Sequence, residues 1–212
     1  LAPLLVHVAG IVALRVVGAA DEAAVAAKAD SQLTIALRTL LVDLFLGHVG
    51  ALDVLLVPAQ MKKNGYVSGH IGKWNISESP ADYVDEYFDV MLWKGAYYPD
   101  EDGSYKGVNT GDFNPEPHGW GPPREGAEYL TDRLTRHACD FIERHSGKPF
   151  FLYLAYNAPH TPLQADIKYN QIYAHLEPEP LRIYAGMVSS LDENIGKVMD
   201  KLEELGLSAY AV

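Results

Sequence analysis

Residues 150–166 read FFLYLAYNAPHTPLQAD. An apolar run ends at Asn157, and His160 then sits between Pro159 and Pro162. Continuous rather than alternating apolarity marks a strand covered on both faces, as in a parallel sheet. In open parallel sheets, ligands bind just beyond the carboxyl ends of the strands. The stretch therefore predicts a buried strand over 150–156. It delivers Asn157 and His160 to that edge, on a loop stiffened by two prolines.

The flanking segments extend this reading. Leu130, Leu134, Ala138, Phe141 and Ile142 recur at helical steps, which predicts a helix over 128–145. Met187, Leu191, Ile195, Val198, Leu202 and Leu205 do the same in a second helix, closed by Gly206. Upstream, residues 58–64 suit a short helix with Gly65 as its stop. Residues 66–74, YVSGHIGKW, then suit a short strand ending in a polar turn. Strand, helix, strand, helix in this order predicts right-handed crossovers and an α/β fold: a mostly parallel sheet flanked by helices. Between them, residues 94–126 form a long loop rich in Gly, Pro, Asn and aromatics.

Residues 1–57 have another texture. They are rich in Ala, Val and Leu, with helical character over 23–46, and a boundary is expected near residue 58. Residues 1–20 carry His7 and Arg15 and lack a basic leader, so they read either as a damaged export signal or as a core segment. Residues 207–212 have the texture of an opening strand. No uncharged run reaches the length of about 18 that a membrane span needs. With 48% hydrophobic and 21% charged residues, the chain is globular rather than disordered. A formal charge of −11 argues against nucleic acid as a ligand, because phosphate backbones need clustered Lys and Arg. It leaves room for one local anion pocket. With one cysteine, Cys139, no intrachain disulfide forms.

Two strand ends bring chemistry to the predicted edge: Lys73-Trp74-Asn75 from one, Asn157 and His160 from the other. A lysine and a histidine converging there suit an ester of an oxyanion. The ammonium holds oxygens as charge builds, and the imidazole passes a proton to the departing alkoxide. Spacing alone leaves a plainer alternative open, in which Lys73 is a solvated strand-end charge and His160 a turn histidine bonded to backbone.

Four runs resemble the type I sulfatases in order. GYVSGHIGKWNIS at 65–77 is similar to the motif G-Y-x-T-x-x-x-G-K-W-H-x-G. KPFFLYLAYNAPHTPLQAD at 148–166 resembles the strand and loop that carry an active-site histidine. EYLTDRLTRHACDFIERH at 128–145 resembles the helix before that strand, and residues 184–207 resemble the helix before a metal-binding Asp-Asn turn. The resemblance covers roughly residues 59–207 and implies the alkaline-phosphatase-like fold, as a partial catalytic domain over 58–212. It implies a sulfate-contacting role for Lys73 and a proton-donor role for His160. Asn75 stands where most members have a histidine that bonds the nucleophile. An amide can make that bond but cannot shuttle a proton, so its implied role is positioning. Trp74 reads as packing.

The family also implies calcium and a formylglycine made from Cys in C-x-P-S-R. No such motif occurs in residues 1–57, nor does the early Asp-Asp pair of the calcium site. The metal ligands are therefore unknown. Cys139, followed by Asp140-Phe141-Ile142-Glu143, lacks the motif and reads as a packed helix thiol. Truncation, a frame shift or divergence would each account for residues 1–57. The compartment is open, with periplasmic or secreted as the family expectation.

Smaller features have structural readings first. His70, His118 and His137 lack partners at metal-ligand spacing. Asp82, Asp85, Glu86 and Asp89 lack the rhythm of a calcium loop and read as a solvated face. Trp93, Tyr97, Tyr98, Tyr105 and Trp120 either stack on sugar rings or anchor the long loop. The functional reading is a sulfate ester hydrolase acting on a small or carbohydrate ester. The alternatives are a phosphate or phosphonate monoester hydrolase, and a non-catalytic module that keeps an anion pocket.

Overall fold

A computed structural model describes residues 57–58, 60–74, 79–91, 95–108, 119–121 and 125–207, together with the backbone of 11–16. The expected helix at 23–46, Asn75, Trp93, His118 and the strand texture at 208–212 lie outside the described residues.

The main sheet has four strands in the order β1-β5-β2-β3. These are β1 (Ile11–Val16), β2 (Val67–Lys73), β3 (Glu86–Met91) and β5 (Phe150–Ala155). β2 runs parallel to β3 and to β5, whereas β1 pairs antiparallel with β5. The sheet is thus mostly parallel, with one antiparallel edge. Five of the six residues of β5 and the five central residues of β2 are buried. This is the pattern expected of strands covered on both faces.

Helix α1 (Leu130–His145) packs on β2, β3 and β5. Its buried face carries Leu130, Leu134, Ala138, Phe141 and Ile142, as the periodicity predicts. Phe141 packs so close to β2 that a Cβ on Gly69 would sit 2.6 Å from its ring. Each fully buried side chain of this size contributes about 1.5–3 kcal/mol. Helix α2 (Glu179–Glu204) lies against α1 and the small sheet. Its buried face runs through Ile183, Gly186, Met187, Ser190, Asn194, Val198 and Leu202, while Leu191 and Ile195 are half-buried. The stripe is therefore rotated from the apolar repeat. Gly186 allows close approach to Ala165 and Tyr169, and Asn194 satisfies its amide on the Ser190 carbonyl at 2.8 Å. Gly206 ends the helix at φ 70°, where the Leu207 amide bonds the Leu202 carbonyl at 2.7 Å.

The long loop is not structureless. It contributes β4 (Gly119–Gly121), which pairs parallel with β6 (Gln164–Asp166) just past the His160 turn. Tyr97, Tyr98 and Tyr105 are buried in the core. They anchor the loop and are not free to stack on a sugar, which decides between the two readings of these three rings.

The acidic face is also corrected. Asp89 is buried and takes a bidentate pair from Arg133, Nε at 2.6 Å and Nη2 at 3.1 Å, with His137 Nε2 at 3.2 Å. Glu86 is met by Arg144 at 2.8 Å and His145 at 2.8 Å, and Asp85 by Lys62 at 2.6 Å. Of the acidic four, Asp89 and Glu86 fasten β3 to α1 rather than forming a solvated face, while Asp85 stays exposed beside Lys62. The β2–β3 register explains why. Ile71 opposes Phe88 but Lys73 opposes Met91, so β3 carries an extra residue opposite Gly72. Asp89 takes φ 49° at that bulge, a left-handed conformation that Asp tolerates.

Candidate functional site

Lys73 is the last residue of β2, and Gly72 before it opposes Ala155, the last residue of β5. The two strands are parallel, so Lys73 and the 157–160 turn leave the sheet by the same edge. Gly72 sets the exit of Lys73. Its φ is 95°, and a Cβ there would lie 2.1 Å from the Ala155 carbonyl oxygen. Only glycine meets both conditions. The Gly72 carbonyl lies 3.2 Å from His70 Nε2. His70 is wholly buried between Trp74 and Tyr153, and burial holds its imidazole down to about 4 against the opposing bond to Gly72. It is a neutral buttress for the turn.

Lys73 is half-buried and makes no ion pair among the described residues. Partial burial pushes its ammonium below the ordinary lysine value. An unpaired, partly desolvated cation at a sheet edge favours an anionic ligand, which would restore the lost solvation.

His160 is also half-buried. Its amide bonds the Asn157 carbonyl at 2.9 Å, closing the turn. Its Nδ1 lies 2.7 Å from the Thr161 carbonyl, which can only accept. Nδ1 therefore carries the hydrogen, and Nε2 is the ring atom left to take up and release a proton. The plainer reading of a turn histidine bonded to backbone thus holds for Nδ1, while Nε2 makes no hydrogen bond among the described residues. Asn157 is buried and donates to the Gly95 carbonyl at 2.9 Å.

The strand that carries His160 and the helix before it match what the motifs predict. The network around the turn does not appear in any motif. Tyr97, 63 residues away in sequence, donates its hydroxyl to the His160 carbonyl at 2.9 Å. Tandem tyrosines in a Gly- and Pro-rich loop were its only signal.

The family model described as Sulfatase matches residues 39–211. The chain belongs to the sulfatase family. Arylsulfatase J of Mus musculus is 31% identical over 163 residues, covering 73% of this chain and 27% of its own length. N-acetylgalactosamine-6-sulfatase of Homo sapiens is 27% identical, covering 71% and 29%. Among solved structures, Ps i-CgsB superposes with a TM-score of 0.56 at 31% identity, over 71% of this chain and 36% of that one. The sulfatase chain therefore spans about a third or less of these relatives and holds part of their alkaline-phosphatase-like fold. The family match opens at residue 39, inside the segment set apart by its texture.

The described part of this sulfatase chain does not fit the family's calcium and formylglycine. No group of three or more His, Cys, Asp or Glu that could hold a metal ion occurs among the described residues. Cys139 sits half-buried on α1, its Sγ 3.9 Å from the Lys197 carbonyl, and burial pushes its thiol up. No helix among the described residues is long and apolar enough to cross a membrane.

Proposed function

We propose that the chain forms part of the catalytic domain of a sulfate ester hydrolase, with Lys73 and His160 as its substrate-contacting residues and Asn75 as a positioning group. The observation that carries this is the shared edge. Lys73, with no ion pair among the described residues, leaves β2 one residue past the pairing of Gly72 with Ala155, and His160 follows β5 within five residues. Lys73 draws charge from the sulfate oxygens as the sulfur–oxygen bond lengthens. His160, protonated, gives its Nε2 proton to the leaving alkoxide oxygen, while Nδ1–H keeps its bond to Thr161. This accounts for the leaving-group half of the reaction and routes nothing through calcium or formylglycine.

A carbohydrate ester is the proposed substrate class. A solved relative, 29% identical with a TM-score of 0.56, holds k-i-k-neocarrahexaose, which supports it. The division into an atypical segment, 1–57, and a partial catalytic domain, 58–212, belongs to the same proposal. A second reading comes from the sequence, where residues 1–57 carry no C-x-P-S-R: the chain binds the anion without turning it over. The test is the purified chain with aryl sulfate and aryl phosphate, with and without calcium. Sulfate hydrolysis abolished by Lys73→Ala and by His160→Ala is the expected result. Turnover surviving both changes removes their roles. Preference for phosphate moves the chain to phosphomonoester chemistry, and saturable sulfate binding without turnover leaves the second reading.

A further inference from the structure

The three residues 95–97 touch the His160 turn on both sides. Before His160, Asn157 Nδ2 donates to the Gly95 carbonyl at 2.9 Å. At His160, the Tyr97 hydroxyl donates to the carbonyl oxygen at 2.9 Å. After it, Gln164 Oε1 accepts the Tyr97 amide at 3.0 Å. The brace is itself fixed. The Tyr97 carbonyl accepts the Leu130 amide, the first of α1, at 2.7 Å. Its ring stacks on Tyr129 with centroids 5.3 Å apart, and Tyr129 in turn donates to the Gln164 carbonyl at 2.7 Å.

We propose that Tyr97 is a positioning residue for His160: its hydroxyl pins the His160 carbonyl, and so the orientation in which the ring bonds Thr161 through Nδ1 and presents Nε2 to the ester. Proton delivery depends on placement to within about 0.5 Å, and a turn held only by its own backbone bond does not give that. Tyr97 suits the task because it is wholly buried. Burial keeps its phenol far above the ordinary tyrosine value, so it stays an O–H donor, and the stack on Tyr129 leaves it little freedom.

This inference rests on the proposed proton-donor role of His160, and its test reads the ring without needing turnover. Nitrogen-15 spectra of the His160 imidazole in the purified chain report which nitrogen carries the hydrogen. Wild type is expected to show one set of signals with Nδ1 protonated. Tyr97→Phe keeps the stack and removes only the donor. It should lower the preference for that tautomer roughly fivefold, the population effect of about one net hydrogen bond. Tyr129→Phe removes a hydroxyl from the same stack without touching His160, and should leave the ring signals unchanged. Equal effects of the two changes, or none from Tyr97→Phe, overturn the positioning role. A second arm adds inorganic sulfate. If wild-type His160 does not respond to sulfate but Tyr97→Phe still releases its tautomer, the substrate-contacting role falls while the brace stands. If sulfate shifts the ring equally in wild type and Tyr97→Phe with the tautomer preserved, the brace falls while the substrate role stands.

Discussion

Along the α1–β3 seam every charge is answered. Asp89 meets Arg133 and His137, and Glu86 meets Arg144 and His145. At the sheet edge, Lys73 meets no carboxylate among the described residues, and the His160 turn is held by neutral bonds from Tyr97 and Asn157. The seam uses charge to fasten a helix to a bulged strand. The edge uses neutral hydrogen bonds to fix geometry and leaves its cation unmatched among the described residues. Where burial deprives a charge of water, the protein supplies a partner unless a ligand is to supply it.

The largest expected effect breaks the edge at its backbone. Gly72→Ala puts a Cβ 2.1 Å from the Ala155 carbonyl at a φ of 95°, so β2 and β5 must part. We expect a loss of roughly 3 kcal/mol or more in urea unfolding, and loss of any sulfate response. A loss under about 1 kcal/mol shows that the turn is not needed.

Next comes the seam. Asp89→Ala leaves Arg133 and His137 without their shared carboxylate and should cost about 3 kcal/mol. Because Arg133 stays partly exposed, a value nearer the low end is expected.

The pH dependence sharpens the contrast. Burial alone would raise the Asp89 carboxyl, but the bonds from His137 and Arg133 outweigh it and hold it to about 2 against an ordinary value of 3.8. A depressed carboxyl stabilises the fold above its unfolded value. That contribution, about 2 kcal/mol, should be full above about pH 4 and vanish as pH falls toward 2. Glu86 is lowered too, chiefly by Arg144, and its part is lost in the same direction. Lys73 contributes a penalty rather than a gain, but stability again rises with pH. Its ammonium is disfavoured in the fold, so its penalty is relieved as pH rises past its lowered value. Acid unfolding of wild type against Asp89→Asn checks the first. An unchanged acid limb counts against the clamp.

The smallest effect on stability is Lys73→Ala, expected within about 0.5 kcal/mol of wild type or slightly stabilising, yet with sulfate binding abolished. Calorimetry with sulfate reads both. A large loss of stability instead makes Lys73 a structural residue.

Helix α1 and strands β2 and β5 were legible because burial imposes periods of 3.6 and runs of apolar residues that survive in any reading of the chain. Helix α2 was legible in existence but not in orientation. Its buried face is centred on Gly186, Ser190 and Asn194, residues that an apolar repeat cannot flag. Glu86 and Asp89 look solvated in sequence because their partners, Arg144 and Arg133, come from a helix 58 and 44 residues on. The aromatic loop read equally well as a sugar platform or an anchor, and only burial of Tyr97, Tyr98 and Tyr105 chose between them.

By itself, the sequence determined helices α1 and α2, strands β2 and β5, the family, and the arrival of Lys73 and His160 at strand ends, but not strands β1, β3, β4 and β6. Local periodicity and short motifs carry that information within a few residues. Only the tertiary structure decided that the two strands are parallel neighbours in register, that Tyr97 bonds the His160 carbonyl, and that the seam's charges are paired while Lys73 has no ion pair among the described residues. Those are contacts across tens of residues, and a hydrogen bond or ion pair depends on distance in space rather than along the chain.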